Sequence, residues 1–207
     1  MEGPRPSFVA HEGIPFLAFL AVVAGTFAIQ QYYIAAAAMA LLLLFAFLLF
    51  RDPMRDIPAE PLGVVSPVDG TVVAVMPIGN GVVAEQEQKV VIRVNHLGTY
   101  TMRSPTEGKI LDLRDANLAA GQTVRNKGLW LRTDEGRDVV LLFPRAWLWL
   151  APSSWAQIGE RLGQGQSCGF LRLAREAELY LPIDSKILVE PGQKITAGVD
   201  LIGELSS

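Results

Sequence analysis

The feature that most constrains this chain is a long stretch without charge near its N-terminus. From Ile14 to Phe50 the sequence contains no Asp, Glu, Lys, Arg or His. A helix needs about 20 consecutive apolar residues to cross a bilayer, so this stretch is too long for one simple span and short for two full ones. We therefore predict two short helices, Ile14–Ile29 and Ile34–Phe50, joined by an interfacial turn at Gln30–Tyr33.

The residues that flank this stretch predict its topology. The segment "MEGPRPSFVAHEG" offsets its one arginine with two glutamates, which is unlike the basic region of a cleaved signal peptide. "RDPMR" follows the stretch directly, and Arg51 and Arg55 place both ends of the hairpin on the cytoplasmic side by the positive-inside rule. A buried core helix is the alternative, although a core helix does not need so long an uncharged run. We expect an anchor in the inner (cell) membrane, with the remaining chain on the cytoplasmic face.

The sequence after the hairpin predicts a mainly β domain. A connector rich in proline, residues 51–63, separates the hairpin (14–50) from a series of short β-branched runs in residues 64–207. The N-terminal segment 1–13 completes a division into four parts. Three tryptophans in "PRAWLWLAPSSWAQI" are expected either to pack in the core or to rest at the bilayer surface. Strands are expected at Val64–Val65, Thr71–Val75, Lys89–Val94, Lys109–Leu113, Gly128–Thr133, Asp138–Phe143, Phe170–Leu173, Glu178–Leu181, Lys186–Val189 and Leu201–Leu205.

Two internal sequence repeats indicate that this domain has a barrel-sandwich-like fold built from duplicated β-hairpin units. "SPVDGTVV" at 66–73 is matched by "SPTEGKIL" at 104–111, each a turn with proline second and an acidic residue and glycine before a strand. "IGERLGQGQSCGFL" shares its spacing of glycine and aliphatic residues with "EPGQKITAGVDLIGEL". The pattern is similar to the hairpins of biotinyl and lipoyl carriers, in which Lys186 would be the candidate for the modified lysine.

Charge and cysteine content narrow the classes of function. The net charge is −3 and the sequence has no basic stripe, which argues against a nucleic-acid partner. The single cysteine, Cys168, excludes an intramolecular disulfide, and no cluster of Cys and His predicts a metal site. One cysteine also fits a reducing, cytosolic setting.

Four motifs in the same order along the chain resemble the phosphatidylserine decarboxylases, in their short bacterial and archaeal membrane-anchored form. They are "EGIPF" before the hairpin, "FRDPMRDIP" after it, "VVSPVDGTVVAV", and "GERLG…GFLR…ELYLP". The resemblance implies an enzyme of phospholipid metabolism that makes its own pyruvoyl cofactor. In that family a serine attacks the carbonyl before it, and elimination from the resulting ester leaves the pyruvoyl group at a new N-terminus. A histidine and an aspartate activate the serine in a triad.

The family motifs retain one triad position in this chain. The aspartate of S-P-x-D-G falls on Asp69. The histidine motif S-P-L-D-V-H-V-N-R-A-P-V-x-G aligns with "NHLGTYTMRSPTEG", which puts Tyr100 at the histidine and Gly98 at the aspartate two residues before it. A phenol with a pKa of about 10 is a poor general base at neutral pH. His96 is a displaced candidate for that base.

The self-cleavage position is replaced as well. The motif R-F-G-S-R-V-D-L-Y-L-P puts Ala174 at the glycine and Arg175 at the serine. Arginine has neither a hydroxyl nor a β-leaving group, so pyruvoyl is not expected to form at Arg175 and we predict no cofactor. Ser167 and Cys168 are the nearest candidate nucleophiles for a displaced replacement of the serine.

Three functions follow from these alignments. The first is a divergent, non-self-processing family member, a pseudoenzyme, that binds an aminophospholipid or regulates a true decarboxylase. Here Arg175 holds a lipid phosphate or carboxylate, unless it is a surface arginine paired with Glu176 or Glu178. The second is an active decarboxylase that converts phosphatidylserine to phosphatidylethanolamine with displaced residues, and the third is a structural module at the membrane surface. Membrane phospholipid is the expected partner, with self-association or an active decarboxylase as protein partners. The candidate substrate-binding residues are Asp69, Tyr100, Arg175 and His96.

Overall fold

The structure is a computed structural model, and it describes residues 13–79, 83, 87–95, 98–112, 128–144, 152–172 and 174–206. In this part of the chain, two helices precede fourteen strands, which confirms the predicted mainly β fold behind a helical hairpin. The helices are Ile14–Ile29 (α1) and Tyr33–Phe50 (α2). The strands are Gly63–Val65 (β1), Gly70–Ile78 (β2), Glu87–Val94 (β3), Thr101–Arg103 (β4), Gly108–Asp112 (β5), Gly128–Arg132 (β6), Asp138–Leu142 (β7), Ser153–Ser154 (β8), Arg161–Leu162 (β9), Ser167–Phe170 (β10), Glu176–Pro182 (β11), Lys186–Ile187 (β12), Lys194–Ile195 (β13) and Leu201–Glu204 (β14).

The chain divides into two compact units. One contains Met1–Met54 and Thr99–Thr101, and the other contains Arg55–Gly98 and Met102–Ser207. The second unit, here called the β-domain, thus begins at Arg55, within the predicted connector. The division into four parts at residues 13, 50 and 63 stays a prediction.

The two helices form a hairpin whose open ends lie together. The rings of Phe16 and Phe50 are 6.2 Å apart between centroids, and a Cβ added to Gly13 would lie 2.3 Å from the Phe50 ring. Both helices are apolar on every side, and their side chains are largely exposed, as at Ile34 (90%). By length and composition α2, with 18 residues and a mean hydropathy of 2.6, is able to cross a membrane, whereas α1 has 16 residues. The helices begin and end as predicted, except that α2 starts one residue earlier, at Tyr33.

The strands of the β-domain form three sheets. The largest has the order β13-β2-β3-β11-β7-β6-β5-β9, and the other two are β1-β14-β12 and β4-β10-β8. In the centre of the largest sheet, β11 pairs antiparallel with β3 along its whole length and with β7 on its other side. Alternate residues of these strands face a core in which Val90, Ile92, Leu179 and Leu181 are each 1% exposed or less. No closed barrel forms among the described strands.

The sequence repeat between "SPVDG" and "SPTEG" corresponds to two turns with the same hydrogen bonds. We call Ser66–Gly70 the first turn and Ser104–Gly108 the second turn. In each, the serine hydroxyl donates to the carbonyl oxygen two residues further on: Ser66 to Val68 at 2.7 Å, and Ser104 to Thr106 at 2.8 Å. The turns also bond to each other reciprocally: Val65 N donates to Pro105 O at 2.8 Å, and Arg103 N donates to Pro67 O at 3.0 Å.

The glycine-rich segments repeat in the same way. Gly198 N donates to Ser66 O of the first turn at 2.7 Å, and Gly165 N donates to Ser104 O of the second at 2.8 Å. Gly165 and Gly198 have φ angles of 67° and 72°, in the left-handed region that favours glycine. Strand β13 then pairs with the start of β2, as β9 pairs with the start of β5. The predicted duplicated hairpin units are therefore present.

Several strand predictions needed correction. The strand expected at Phe170–Leu173 ends at Phe170, because the chain turns there: Ala174 N donates to Leu171 O at 3.1 Å and Arg172 has a φ of 51°. The short strands β4, β8, β9 and β13 were not predicted. Each has two or three residues, so each depends on its partner strand and carries no periodicity of its own.

Two other sequence hypotheses concern exposed residues. Trp155 is 39% exposed and its indole N–H donates to Ser167 O at 3.3 Å, while Trp147 and Trp149 lie outside the described residues. The choice between core and bilayer surface for these tryptophans stays open. Lys186 lies on strand β12 and pairs with Glu204 at 3.5 Å, so it does not have the hairpin-tip position of a carrier lysine.

Candidate functional site around Asp69

Asp69, the retained triad position, is a buried residue of the first turn, with 8% of its surface exposed. The turn packs directly on β3, since a Cβ added to Gly70 would lie 2.3 Å from the carbonyl oxygen of Arg93. Asn95, which follows β3, donates its N–H to Asp69 O at 2.8 Å. A buried carboxylate is costly unless other groups compensate its charge and fill its hydrogen-bonding capacity.

Arg55 supplies that compensation. Its Nη1 and Nη2 lie 2.6 Å and 2.8 Å from Oδ1 and Oδ2 of Asp69, a bidentate pair in which the two side chains are 9% and 11% exposed. Ala197 adds a third bond, from its N–H to Asp69 Oδ1 at 2.8 Å, and its carbonyl oxygen accepts from Arg55 Nη1 at 2.8 Å. Both carboxylate oxygens of Asp69 therefore already accept hydrogen bonds from protein donors.

Gly98 lies against this ion pair. A Cβ at Gly98 would lie 2.7 Å from the Cβ of Asp69 and 2.9 Å from its Oδ2. A side chain at this position, such as the aspartate of the family motif, therefore does not fit beside Asp69 in this arrangement. Gly98 N donates to Asn95 O at 3.0 Å. His96, between them in sequence, lies outside the described residues, so its role stays a prediction.

Tyr100, at the position of the family histidine, is a buried residue with 5% of its surface exposed. Burial raises the pKa of its phenol above the usual value, because the charged phenolate is poorly solvated there. A higher pKa makes Tyr100 still less able to accept a proton from a serine near neutral pH. Tyr100 belongs to the compact unit that contains the helices, and its role in substrate binding stays a prediction.

Arg175 is an exposed residue immediately before β11. Its carbonyl oxygen accepts from Val94 N at 2.9 Å, and Val94 pairs on its other side with Gly70, next to Asp69. Neighbouring strands are about 4.8 Å apart, so the main chain at Arg175 and the first turn are separated by about 10 Å across β3. The structure thus brings position 175 and Asp69 to the same end of the largest sheet.

One alternative partner of Arg175 is already engaged. Glu178 Oε1 pairs with Lys89 Nζ at 2.5 Å, and its Oε2 accepts from the hydroxyl of Tyr180 at 2.8 Å. Burial and Glu178 together raise the pKa of Tyr180, which keeps that hydroxyl protonated as a donor. Glu176, the other alternative, lies opposite Arg93 of β3 in the register of the sheet.

Cys168 is poorly suited to replace the missing serine. It is completely buried on β10, and its Sγ lies 3.5 Å from Met102 O. Burial raises the pKa of its thiol far above the usual range, so the reactive thiolate is disfavoured. Ser167 precedes it on the same strand and is partly buried.

Arg55 is a part of the site that the sequence motifs did not predict. In the sequence Arg55 is only a positive charge that orients the hairpin, whereas the structure buries that charge against Asp69. No sequence signal links the two residues, because Arg55 lies in a segment without a regular pattern and an aspartate in a turn needs no cation when it is exposed. Within the described residues, no group of three or more His, Cys, Asp or Glu side chains is placed to hold a metal ion.

Comparison with known proteins identifies the family. The sequence profile described as "Phosphatidylserine decarboxylase" matches residues 42–203. The chain belongs to the phosphatidylserine decarboxylase family. The "Phosphatidylserine decarboxylase proenzyme" of Burkholderia ambifaria is 30% identical over 214 residues, covering 99% of each chain. Proteins of the same name from Nitrosomonas europaea and Nitrosomonas eutropha are 31% and 32% identical over 210 residues, covering 97% of this chain and 96% of theirs. A glucose permease IIA from Mycoplasma capricolum has a TM-score of 0.47 at 12% identity over 69% of this chain and 94% of its own, too slight a likeness for argument.

Family membership corrects one expectation. The prediction that this chain has no cofactor is wrong as it stands, because the relatives are decarboxylase proenzymes of a family that uses a pyruvoyl group. The local chemistry at the aligned position is a separate matter. Ala174 and Arg175 do not fit the formation of that group between them, since the arginine side chain is exposed and offers no hydroxyl.

Proposed function

We propose that this chain is a membrane-anchored phosphatidylserine decarboxylase-family protein that binds an aminophospholipid beside the first turn and does not cleave itself between Ala174 and Arg175. The observation that carries the proposal is the place of Arg175. Its main chain is held against β3 next to the first turn, while its side chain is exposed. A guanidinium offers a planar pair of donors that suits the phosphate and carboxylate of phosphatidylserine.

Asp69 has a different part in this proposal. Because its carboxylate already accepts hydrogen bonds from Arg55 and Ala197, it is a poor counter-ion for a lipid ammonium group. Anionic groups of the lipid, held by Arg175, therefore contribute most of the recognition. Tyr100 and His96 stay sequence predictions as substrate-binding residues.

The location in the membrane is part of the same proposal. The apolar helix α2, near the N-terminus, supports an anchor. The cytoplasmic side of the β-domain is proposed from Arg51 alone, since Arg55 is engaged with Asp69. Self-association, or association with a complete decarboxylase, would be detected by size-exclusion chromatography of the chain with and without that enzyme.

Head-group binding is the direct test. Glycerophosphoserine is titrated into the full chain in detergent micelles, with glycerophosphocholine as the neutral comparison, and binding is followed by calorimetry. We expect Arg175→Ala to weaken glycerophosphoserine binding about tenfold or more, the usual cost of losing a charge-assisted contact. Arg161→Ala is the matched control, because it removes the same charge from an exposed arginine of β9, which pairs with the strand after the second turn. Equal affinity in Arg175→Ala and wild type would remove Arg175 from the site.

An active decarboxylase is the second candidate function. The observation that favours it is the likeness of the whole chain to relatives named as proenzymes. The intact mass of the purified, denatured chain separates the two candidates. A single species near 22.5 kDa supports the absence of cleavage between Ala174 and Arg175. Two fragments cut at that bond would contradict the proposal. Two fragments of other masses would support the active decarboxylase and would locate the cleaved bond and the residue that bears the new N-terminus.

A further inference from the structure

The first residues of the β-domain, which lie within the predicted connector, are held by its turns and strands at both ends of the segment. We call residues 55–62 the strap. At its C-terminal end, Leu205 N donates to Leu62 O at 2.9 Å, and Gln164 Nε2 donates to Glu60 O at 3.3 Å. In the middle, the side chain of Ile57 packs on Gly165, where an added Cβ would lie 2.9 Å from three of its carbon atoms.

The N-terminal end of the strap is held by charge. Arg55 makes the bidentate pair with Asp69 and a further bond to Ala197 O. The two partners differ in how firmly their own main chains are fixed. Asp69 lies in a turn bonded to β3, whereas Arg55 belongs to a segment without regular secondary structure. If the pair is broken, Arg55 is therefore the partner that is able to move into water.

We propose that the Arg55–Asp69 ion pair is a latch that seats the strap on the β-domain. In this role Asp69 attaches the segment that follows the hydrophobic hairpin, and it does so independently of any lipid bound at Arg175. A substitution that replaces Asp69 with an uncharged residue leaves the Arg55 guanidinium buried and uncompensated, a strongly unfavourable state. The strap then opens at Arg55 while its other end, at Glu60 and Leu62, stays attached.

Limited proteolysis of the full chain in detergent micelles tests the latch. Trypsin must take an arginine side chain into its specificity pocket, so a latched Arg55 is protected from cleavage. We expect Asp69→Asn to speed cleavage after Arg55 by about tenfold or more, given the usual cost of an uncompensated buried charge. The cut is followed by mass spectrometry of the fragment that begins at Asp56. Arg55→Lys keeps the charge but loses the two-pronged geometry, and its cleavage after position 55 should be accelerated less.

Controls separate opening of the latch from general unfolding. Glu107→Gln, the equivalent change in the second turn, should leave the rate of cleavage after Arg55 unchanged. The fragment beginning at Asp56 should persist in Asp69→Asn, because the sheets that follow are still folded. Should Asp69→Asn fail to fold, cleavage after position 55 in Arg55→Lys decides the matter, once the rate is corrected for the preference of trypsin between arginine and lysine in the denatured chain. Cleavage after position 55 at the wild-type rate in a folded variant overturns the latch, as does simultaneous loss of every fragment.

Discussion

The first and second turns share a backbone but differ in how their acidic residues are used. Both are closed by a serine hydroxyl, and both accept an N–H from a glycine with positive φ. Asp69 of the first turn is buried against Arg55, whereas Glu107 of the second turn is exposed and pairs with Arg161 at 2.8 Å. Arg161 also contacts Asp134, and these two carboxylates raise the pKa of its guanidinium.

This difference shows that the backbone repeat does not determine the electrostatics of the two halves. A carboxylate exposed to water is solvated whether or not a cation is near it, so the second turn needs no particular partner. The carboxylate of the first turn is desolvated, so its fold requires Arg55 to lie where it does. The candidate site therefore lies at the turn whose carboxylate depends on Arg55, a residue from the strap and not from the repeat.

The largest expected effect is the loss of stability on removing the carboxylate of Asp69, compared with removing that of Glu107. Asp69→Asn should lower the free energy of unfolding by at most about 3–5 kcal/mol, because Arg55 loses its buried counter-ion and opening of the strap relieves part of that cost. Glu107→Gln should leave it unchanged within error, since its pair with Arg161 is open to water. Urea denaturation of the chain in micelles, followed by tryptophan fluorescence, measures both. Equal losses in the two variants would show that the turns are electrostatically alike.

A smaller effect should be the same in both turns. Gly70→Ala and Gly108→Ala should each cost about 1–3 kcal/mol, because the added Cβ would lie 2.3 Å from Arg93 O and 2.6 Å from Arg132 O respectively. Gly79→Ala is the control, since a Cβ there meets nothing within 4 Å. The same urea titration compares them. If only one of the two variants lost stability, the two turns would share their hydrogen bonds but not their close packing on the neighbouring strand.

The smallest expected effect is a pH dependence of stability that comes from Cys168. This cysteine lies three residues after Gly165, and the equivalent position three residues after Gly198 is Leu201. Burial raises the pKa of Cys168, so the folded chain keeps the thiol proton that the unfolded chain releases above a pKa of about 8.5. The stabilisation that comes from the raised pKa of Cys168 is fully present below about pH 8.5 and is lost as the pH rises above it. The free energy of unfolding should therefore fall by up to about 1.4 kcal/mol per pH unit above pH 8.5.

Cys168→Ala is the comparison for this pH dependence. Measurements between about pH 8 and pH 9.5 stay below the usual tyrosine pKa of about 10, which limits the contribution of Tyr100 and Tyr180 to the slope. The slope should flatten in Cys168→Ala, even though the smaller side chain lowers stability at every pH. An unchanged slope in the variant would assign the effect to another group.

Most of the long elements could be predicted from the sequence, because their patterns are local. The uncharged run marks α1 and α2, and the alternation of apolar residues marks strands such as β3 and β11. The repeat was visible because both turns need proline and glycine at fixed places. The end of β10 at Phe170 was not visible, because Arg172 adopts a positive φ that its residue type does not suggest.

The candidate site could be predicted only in part. The motif found Asp69, and the strand order then placed Arg175 near it, across β3. The partner of Asp69 could not be predicted, since Arg55 reaches it from a segment with no regular pattern. The burial of Cys168 could not be predicted either, because it depends on how β10 packs and not on the residues beside it.

The central place of β11 has a practical consequence for any test of processing. This strand is hydrogen-bonded to β3 on one side and β7 on the other, and β12, β13 and β14 follow it into two of the sheets. A chain severed just before β11 would still hold its C-terminal piece by the full set of these pairings. Such a nicked protein would elute and sediment as the uncut one does, so only denaturing conditions would reveal whether its backbone is continuous.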